Sequence, residues 1–347
     1  MPETTDDLYL ASFGTAATRT AFITAIAGSI LNGSTNYNEV TGGSSNLSSG
    51  KAYLIASGSI GSETKRVVAN MHSLDGDRFG GIEARSTSGD IWLWNVGGLR
   101  VGGVTGASTG LQAGGRISVR TSSPLTVDSD IISSDSITLN SGEETNKTDD
   151  FLIVKSGVTV FSTGGSVTLT AGDDLTVESG ATVKAKGAIH LGADYKVITE
   201  KDANGNDRER AVPSDDAAAK IRLLGTIVGA SISIDGSTKG GEYTLDGTFR
   251  TGDRTITGTT EGPLTRGGSI TLITRGGDKT ISLGGTYATG NDGDRRRRGC
   301  GDREPLRKLH PRSHQHRISG GRAQASPTTA SKRPEVPRES GRRGRKA

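Results

Sequence analysis

Ala171-Gly172-Asp173-Asp174 is the first group in this sequence that could do chemistry. Two neighbouring carboxylates can divide the work of hydrolysis, one activating water and the other protonating a leaving group, as in the β-helical pectin hydrolases. Such enzymes also carry Asn-Thr-Asp, Gly-His-Gly and Arg-Ile-Lys groups, and none of the three is present here. A second pair, Asp149-Asp150, stands at nearly the same place in the repeat described below, so both pairs are read as turns. His72 and His190 have no partner at metal-ligand spacing and are read as surface residues. Gly276-Gly277-Asp278 and Gly290-Asn291-Asp292-Gly293-Asp294 have residue types suited to calcium but miss the nonapeptide calcium pattern. Gly102-Gly103 and Gly114-Gly115 lack a following helix and lysine, which makes them corners and not phosphate loops. Trp92 and Trp94 share one face of a strand; they are the candidate surface contacts, able to stack on a sugar if exposed, while packing beneath a loop is the competing reading. No catalytic residue, metal or cofactor is expected.

The elements that carry these residues are short strands. Asp90-Ile91-Trp92-Leu93, Arg116-Ile117-Ser118-Val119, Ser136-Ile137-Thr138-Leu139, Ser166-Val167-Thr168-Leu169 and Ala188-Ile189-His190-Leu191 each alternate apolar and polar residues between small or polar boundaries. After Ile117 a second strand follows at Leu125-Thr126-Val127 and a third at Ile131-Ile132. After Val167 the same order returns at Leu175-Thr176-Val177 and Ala181-Thr182-Val183. Between them, Ile137 is followed by Leu152 and Val158, with a polar insert over 141–150. Three short strands per unit of roughly 20 to 25 residues predict an all-β fold, a parallel β-helix of about a dozen coils. Ile117, Ile137, Val167 and Ile189 would line its interior; Ser118, Thr138, Thr168 and His190 would face solvent. A rod of some 60 Å follows from ~4.8 Å per coil.

Glycine at 52 of 347 positions and large aliphatics plus Phe at about a fifth fit corners and a narrow core, and fit poorly with a helical bundle, a membrane protein or a nucleotide-binding α/β domain. Residues 1–50 are expected to be irregular, with Leu8 to Leu31 a strand pair or short helix. Regular coils occupy 51–199, a polar loop or short helix 200–219, further coils 220–294, and a disordered Arg/Pro-rich tail 295–347. The tail holds 17 of the 42 Lys and Arg and 4 of the 38 Asp and Glu, so a net charge of +4 averages a tail of +13 with a body of −9. Non-specific nucleic-acid contact through the tail is the one such contact expected, since it has no aromatic residue for base stacking. Its abrupt start suggests a frameshift near residue 294. The body has no cysteine, Cys300 being in the tail. No membrane span or signal peptide is read, and no polar cap is expected at either end of the coil, as for a piece of a longer solenoid.

The run from Phe79-Gly80-Gly81-Ile82-Glu83-Ala84 through Ser88 to Leu99, with Gly114-Gly115-Arg116-Ile117-Ser118-Val119 and Ser123-Pro124-Leu125-Thr126-Val127, resembles the repeats of filamentous-haemagglutinin-type adhesins, over roughly 50–290. The resemblance implies a right-handed β-helix, a secreted or cell-surface location in bacteria, host-cell or matrix glycans or proteins as partners, and a mechanical, adhesive role without catalysis. A β-helical polysaccharide hydrolase or lyase is the alternative, and a degraded reading frame the third reading.

Overall fold

The computed structural model describes residues 6–289 apart from 17, 38–43, 73–78, 144–148, 202–206, 215–217, 238, 253–255, 258–259, 262–267 and 275–277, together with 316–318. The described residues contain strands and no helix. Nearly every strand pairs in parallel with the equivalent strand of the next repeat, a parallel-stacked, solenoid-like all-β fold. A first stack runs through Ile91–Asn95, Ile117–Thr121, Ile137–Ser141, Val167–Thr170, Ile189–Gly192, Ile232–Asp235 and Ile270–Ile273. A second runs through Leu99–Val101, Leu125–Val127, Leu152–Val154, Leu175–Val177, Ala219–Leu223 and Gly240–Leu245. Thr109–Ala113, Asp130–Ser133, Thr159–Ser162, Thr182–Ala185, Thr226–Gly229 and Thr248–Thr251 make the third. Toward the N-terminus the long strands Thr20–Ala25, Lys51–Ala56 and Gly81–Ser86 do the work of the second and third stacks together.

Alternation explains why these segments are strands with one buried face. Ile117, Ile137, Val167, Ile189 and Ile232 stand in register, as do Val119, Leu139, Leu169, Leu191 and Ile234, and all are buried in one apolar cluster. Like side chains therefore meet like side chains at one strand spacing, and few large residues per repeat suffice to fill the interior.

Several expectations are corrected. Residues 1–50 are not irregular where they are described: Leu8–Leu10 pairs with Ile30–Asn32, Phe13–Gly14 with Leu47–Ser49, and Thr20–Ala25 with Lys51–Ala56. Entry into successive repeats at Leu8, Ile30, Ile60, Ile91, Ile117, Ile137, Val167, Ile189, Ile232 and Ile270 gives ten units among the described residues, not a dozen. At ~4.8 Å each they stack over roughly 45 Å. Val160, not Val158, stands opposite Ile131, and Val183 follows it. The extra two residues make the turns at Gly157 and Gly180, which Lys155 and Glu178 tie together with a 3.1 Å ion pair. Partial burial acts to raise the Glu178 carboxyl, but the Ser156 amide and Lys155 outweigh it and hold the group below its usual range.

The largest correction is at 200–219. In place of a loop or helix, Tyr195–Lys201 and Asp207–Pro213 form an antiparallel hairpin with a sheet of its own. The chain leaves the stacks at Asp194 and returns at Ser214, whose amide donates to the Asp194 carbonyl at 2.7 Å. The entropic cost of closing such a loop grows only slowly with its length. Replacing 196–212 with a short Asn-Gly turn is expected to change unfolding free energy by less than about 1 kcal/mol, measured by urea denaturation.

Of the tail, only His316–Ile318 is described, as a short strand antiparallel to Ile270–Leu272. The frameshift reading and the second calcium-like group fall outside the described residues. Among the described residues no helix is long and apolar enough to cross a membrane.

Candidate functional site

Trp92 and Trp94 sit side by side on the outer face of the first stack, as alternation requires, but they do not form an open platform. Their exposures are 8% and 3%. Ile60 pairs with Ile91, and Val67 with Leu93 two residues on, so the chain between Ile60 and Val67 must bulge out over the sheet. The bulge lays Arg66 across it. The Arg66 guanidinium lies 5.1 Å from the centre of the Trp92 ring, and its Nη1 donates to Ser118 Oγ at 3.0 Å and the Ser118 carbonyl at 3.2 Å. Ser118, expected to face solvent, is buried as a result.

Arg116 closes over the same ring at 5.3 Å, and Arg120 covers Trp94 at 4.1 Å. Arg116 is held in turn by Asp90 at 3.5 Å and Glu63 at 3.4 Å, while Trp92 Nε1 donates to Asp90 Oδ2 at 3.3 Å. Each guanidinium over an indole contributes about 0.5–2 kcal/mol. Arginine therefore occupies the faces that a sugar ring would need. The cluster reads as a clamp that pins the 61–66 bulge to the stack. Thr138 is exposed; Thr168 and His190 are half-buried, with His190 edge-on to Tyr195 at 5.6 Å between ring centres.

Both aspartate pairs lie at the corner between the first and second stacks. Asp150 and Asp173 are buried: the Asp150 amide donates to Asp173 Oδ2 at 3.0 Å, and the Asp173 amide to the Asp150 carbonyl at 2.8 Å. One corner thus clasps the next. Asp174 turns the other way, and its Oδ1 accepts the Lys220 amide at 2.8 Å. Burial pushes the Asp174 carboxyl above its ordinary value, and the Lys220 amide and ammonium offset this only in part. An acid raised in the folded state favours folding while protonated, and that contribution fades as pH rises past its unfolded value of about 3.9. Asp174→Asn, which keeps an oxygen for Lys220, is therefore expected to raise the melting temperature at pH 7, with the gain vanishing toward pH 3. Thermal melts across that range check it.

Three features escaped the sequence reading. Glu83 alternates with Ile82 and Ala84 and so points outward, yet it is fully buried beneath 102–106, accepting the Val104 amide at 2.8 Å, the Thr105 amide at 3.1 Å and Thr105 Oγ1 at 2.5 Å. Gly102 and Gly103, with φ of +109° and +69°, let that loop fold back over the carboxylate. Inside the corners, Asn95 Nδ2 donates to the Gly97 and Gly98 carbonyls and its Oδ1 accepts the Met71 amide at 3.0 Å. The third is the root of the hairpin, where Tyr195 is buried and donates to Asp235 Oδ2 at 2.6 Å. Its ring lies where a Cβ on Gly192 would be, 2.8 Å from Cε2.

Among the described residues no three His, Cys, Asp or Glu side chains are grouped so as to hold a metal ion. Comparison with protein-family models, curated proteins and solved structures finds no match. The class that fold and site define is thus an all-β, parallel-stacked, solenoid-like protein.

Proposed function

We propose that the chain is a right-handed parallel β-helix of three-strand coils that serves as a structural, adhesive rod segment of a secreted or cell-surface bacterial adhesin of the filamentous-haemagglutinin type. The observation that carries this reading is the hairpin 195–213: a polar arm inserted at one corner while Leu175–Val177 and Ala219–Leu223 on either side of it still pair in register. A stack that accepts such an insert is suited to holding appendages away from its axis. Host-cell or matrix glycans or proteins are the proposed partners, met through displayed segments and not through Trp92 and Trp94, whose faces arginine covers. Against the polysaccharide hydrolase or lyase alternative stands the use of the Asp173 carboxylate in holding the Asp150 amide.

The test is retention of the full chain on immobilised glycans, matrix proteins and cell surfaces, alongside the hairpin-replaced chain, with release of reducing ends from pectin and related polymers measured in parallel. Saturable retention that falls when the hairpin is replaced, without reducing-end release, is the expected result. Release of reducing ends, or no retention on any surface, contradicts the proposal.

A further inference from the structure

Five of the eight large apolar side chains exposed among the described residues, Leu8, Tyr9, Phe13, Phe22 and Ile26, lie in the first repeat. Such a cluster at one end of a stack marks a contact surface. The longest strand there, Thr20–Ala25, has Lys51–Ala56 as its one described neighbour. The Lys51 amide donates to the Arg19 carbonyl at 3.2 Å and the Ser57 amide to the Ala25 carbonyl at 3.1 Å, so the odd-numbered residues turn their main chain toward the second repeat. In a parallel ladder the even-numbered residues turn theirs the other way. The amides and carbonyls of Thr20, Phe22 and Thr24 therefore face outward, with no strand to pair with among the described residues.

Proteins blunt an open edge with lysine, proline or a bulge. Thr-Ala-Phe-Ile-Thr-Ala has none of these, and its pairing with Lys51–Ala56 keeps one unbroken register. About a two-fold axis at Phe22 the edge is its own complement. Phe22 meets Phe22 of the second copy, Thr20 meets Thr24 and Thr24 meets Thr20, each facing pair exchanging two main-chain hydrogen bonds. Phe22 is 68% exposed and stands edge-on to Tyr53 of the next repeat, 6.4 Å between ring centres, so the facing rings continue that aromatic column across the axis. Aromatic and threonine pairs are both favourable across strands. On the inner face Ile23 stands opposite Ala21, large against small, and Arg19 opposite Ala25, so no like charges meet along the edge. The far end of the stack is no mate for it, because the outer edge of Ile270–Leu272 already carries His316–Ile318.

We infer that the outer edge of Thr20–Ala25 pairs antiparallel with the same strand of a second copy of this chain, so that two stacks meet head to head and share one continuous sheet. The contact is closed by its two-fold axis and adds no further copies.

Sedimentation equilibrium and disulfide trapping of the full chain test it. The wild type is expected to dimerise reversibly, and Phe22→Arg to weaken the dimer about tenfold or more by setting two like charges face to face. In a chain whose Cys300 is replaced by serine, Phe22→Cys is expected to cross-link under mild oxidation, because facing residues of such a pair have Cα atoms about 5.5 Å apart, within disulfide reach. Ile26→Cys, at a more exposed position, is expected to stay uncross-linked, since the axis sets it opposite Thr18 and not opposite itself. Should Phe22→Arg disturb folding, the two cysteine variants decide the matter by themselves. A wild type that stays monomeric, a folded Phe22→Arg chain that dimerises as the wild type does, or a Phe22→Cys chain that cross-links no more than Ile26→Cys overturns the inference.

Discussion

Leu169→Asp is expected to leave no cooperatively folded protein at 25 °C. Leu169 is fully buried in the middle of the first stack, in register between Leu139 and Leu191 and within the single apolar cluster that runs through the repeats. Truncation to alanine costs about 2–5 kcal/mol at such a site, and a carboxylate adds the penalty of an unpaired buried charge. Together these match or exceed the roughly 5–15 kcal/mol that holds a domain folded. Because stacked repeats contact only their neighbours, the damage should spread from the centre. In Leu169→Ala, hydrogen exchange should rise most in Ile137–Ser141 and Ile189–Gly192, with the far repeats least affected. Circular dichroism and urea denaturation read the loss; an aspartate variant that melts like the wild type would mean that the column is not interior.

Glu83→Ala is the second large effect, and it arises from a polar group. The alanine leaves the Val104 and Thr105 amides and the Thr105 hydroxyl without their acceptor. Buried donors left unmatched cost about 1–3 kcal/mol each, and the loop can turn part of this load to water, so a net loss of about 2–4 kcal/mol is expected. Glu83→Gln, which retains one oxygen, should fall between. A shift in the urea midpoint at unchanged slope would be the sign of lost stability and not of a changed unfolded state.

These two residues mark what the sequence made legible. Leu169 belongs to a period-2 pattern that recurs in register, and such a pattern identifies both the strand and its inward face. The same pattern assigns Glu83 to solvent, because alternation tells the side of the sheet but not whether another segment lies over that side. Ser118 is misplaced for the same reason: the cover comes from Arg66, on a chain bulge one repeat earlier. Asn95 is hidden for a further reason. Its inward side chain satisfies the backbone of a corner, and inward polar residues break the apolar signal on which the reading depends.

The hairpin was missed because its central residues, Val197-Ile198 and Ala211-Val212, are flanked by charges on both strands. In composition that looks like a solvated loop, whereas pairing across the ribbon is a long-range fact. The aspartate pairs were legible as corners from their recurrence alone. Their inner members, Asp150 and Asp173, are linked to each other as successive corners, a contact no single repeat discloses.

The central claim is that the chain advances by one strand spacing per repeat, whatever the number of residues in that repeat. Pulsed electron-electron distance measurement between spin labels at Ser118 and His190, and at Ser118 and Thr271, tests it most directly, in a chain whose Cys300 is replaced by serine. Register places these sites three and five repeats apart, with 72 and 153 residues between their positions. The expected backbone separations are about 14 Å and about 24 Å, a ratio set by repeats and not by residues. Distances that scale with the intervening sequence, or that fail to lengthen from the first pair to the second, would contradict the stacked architecture.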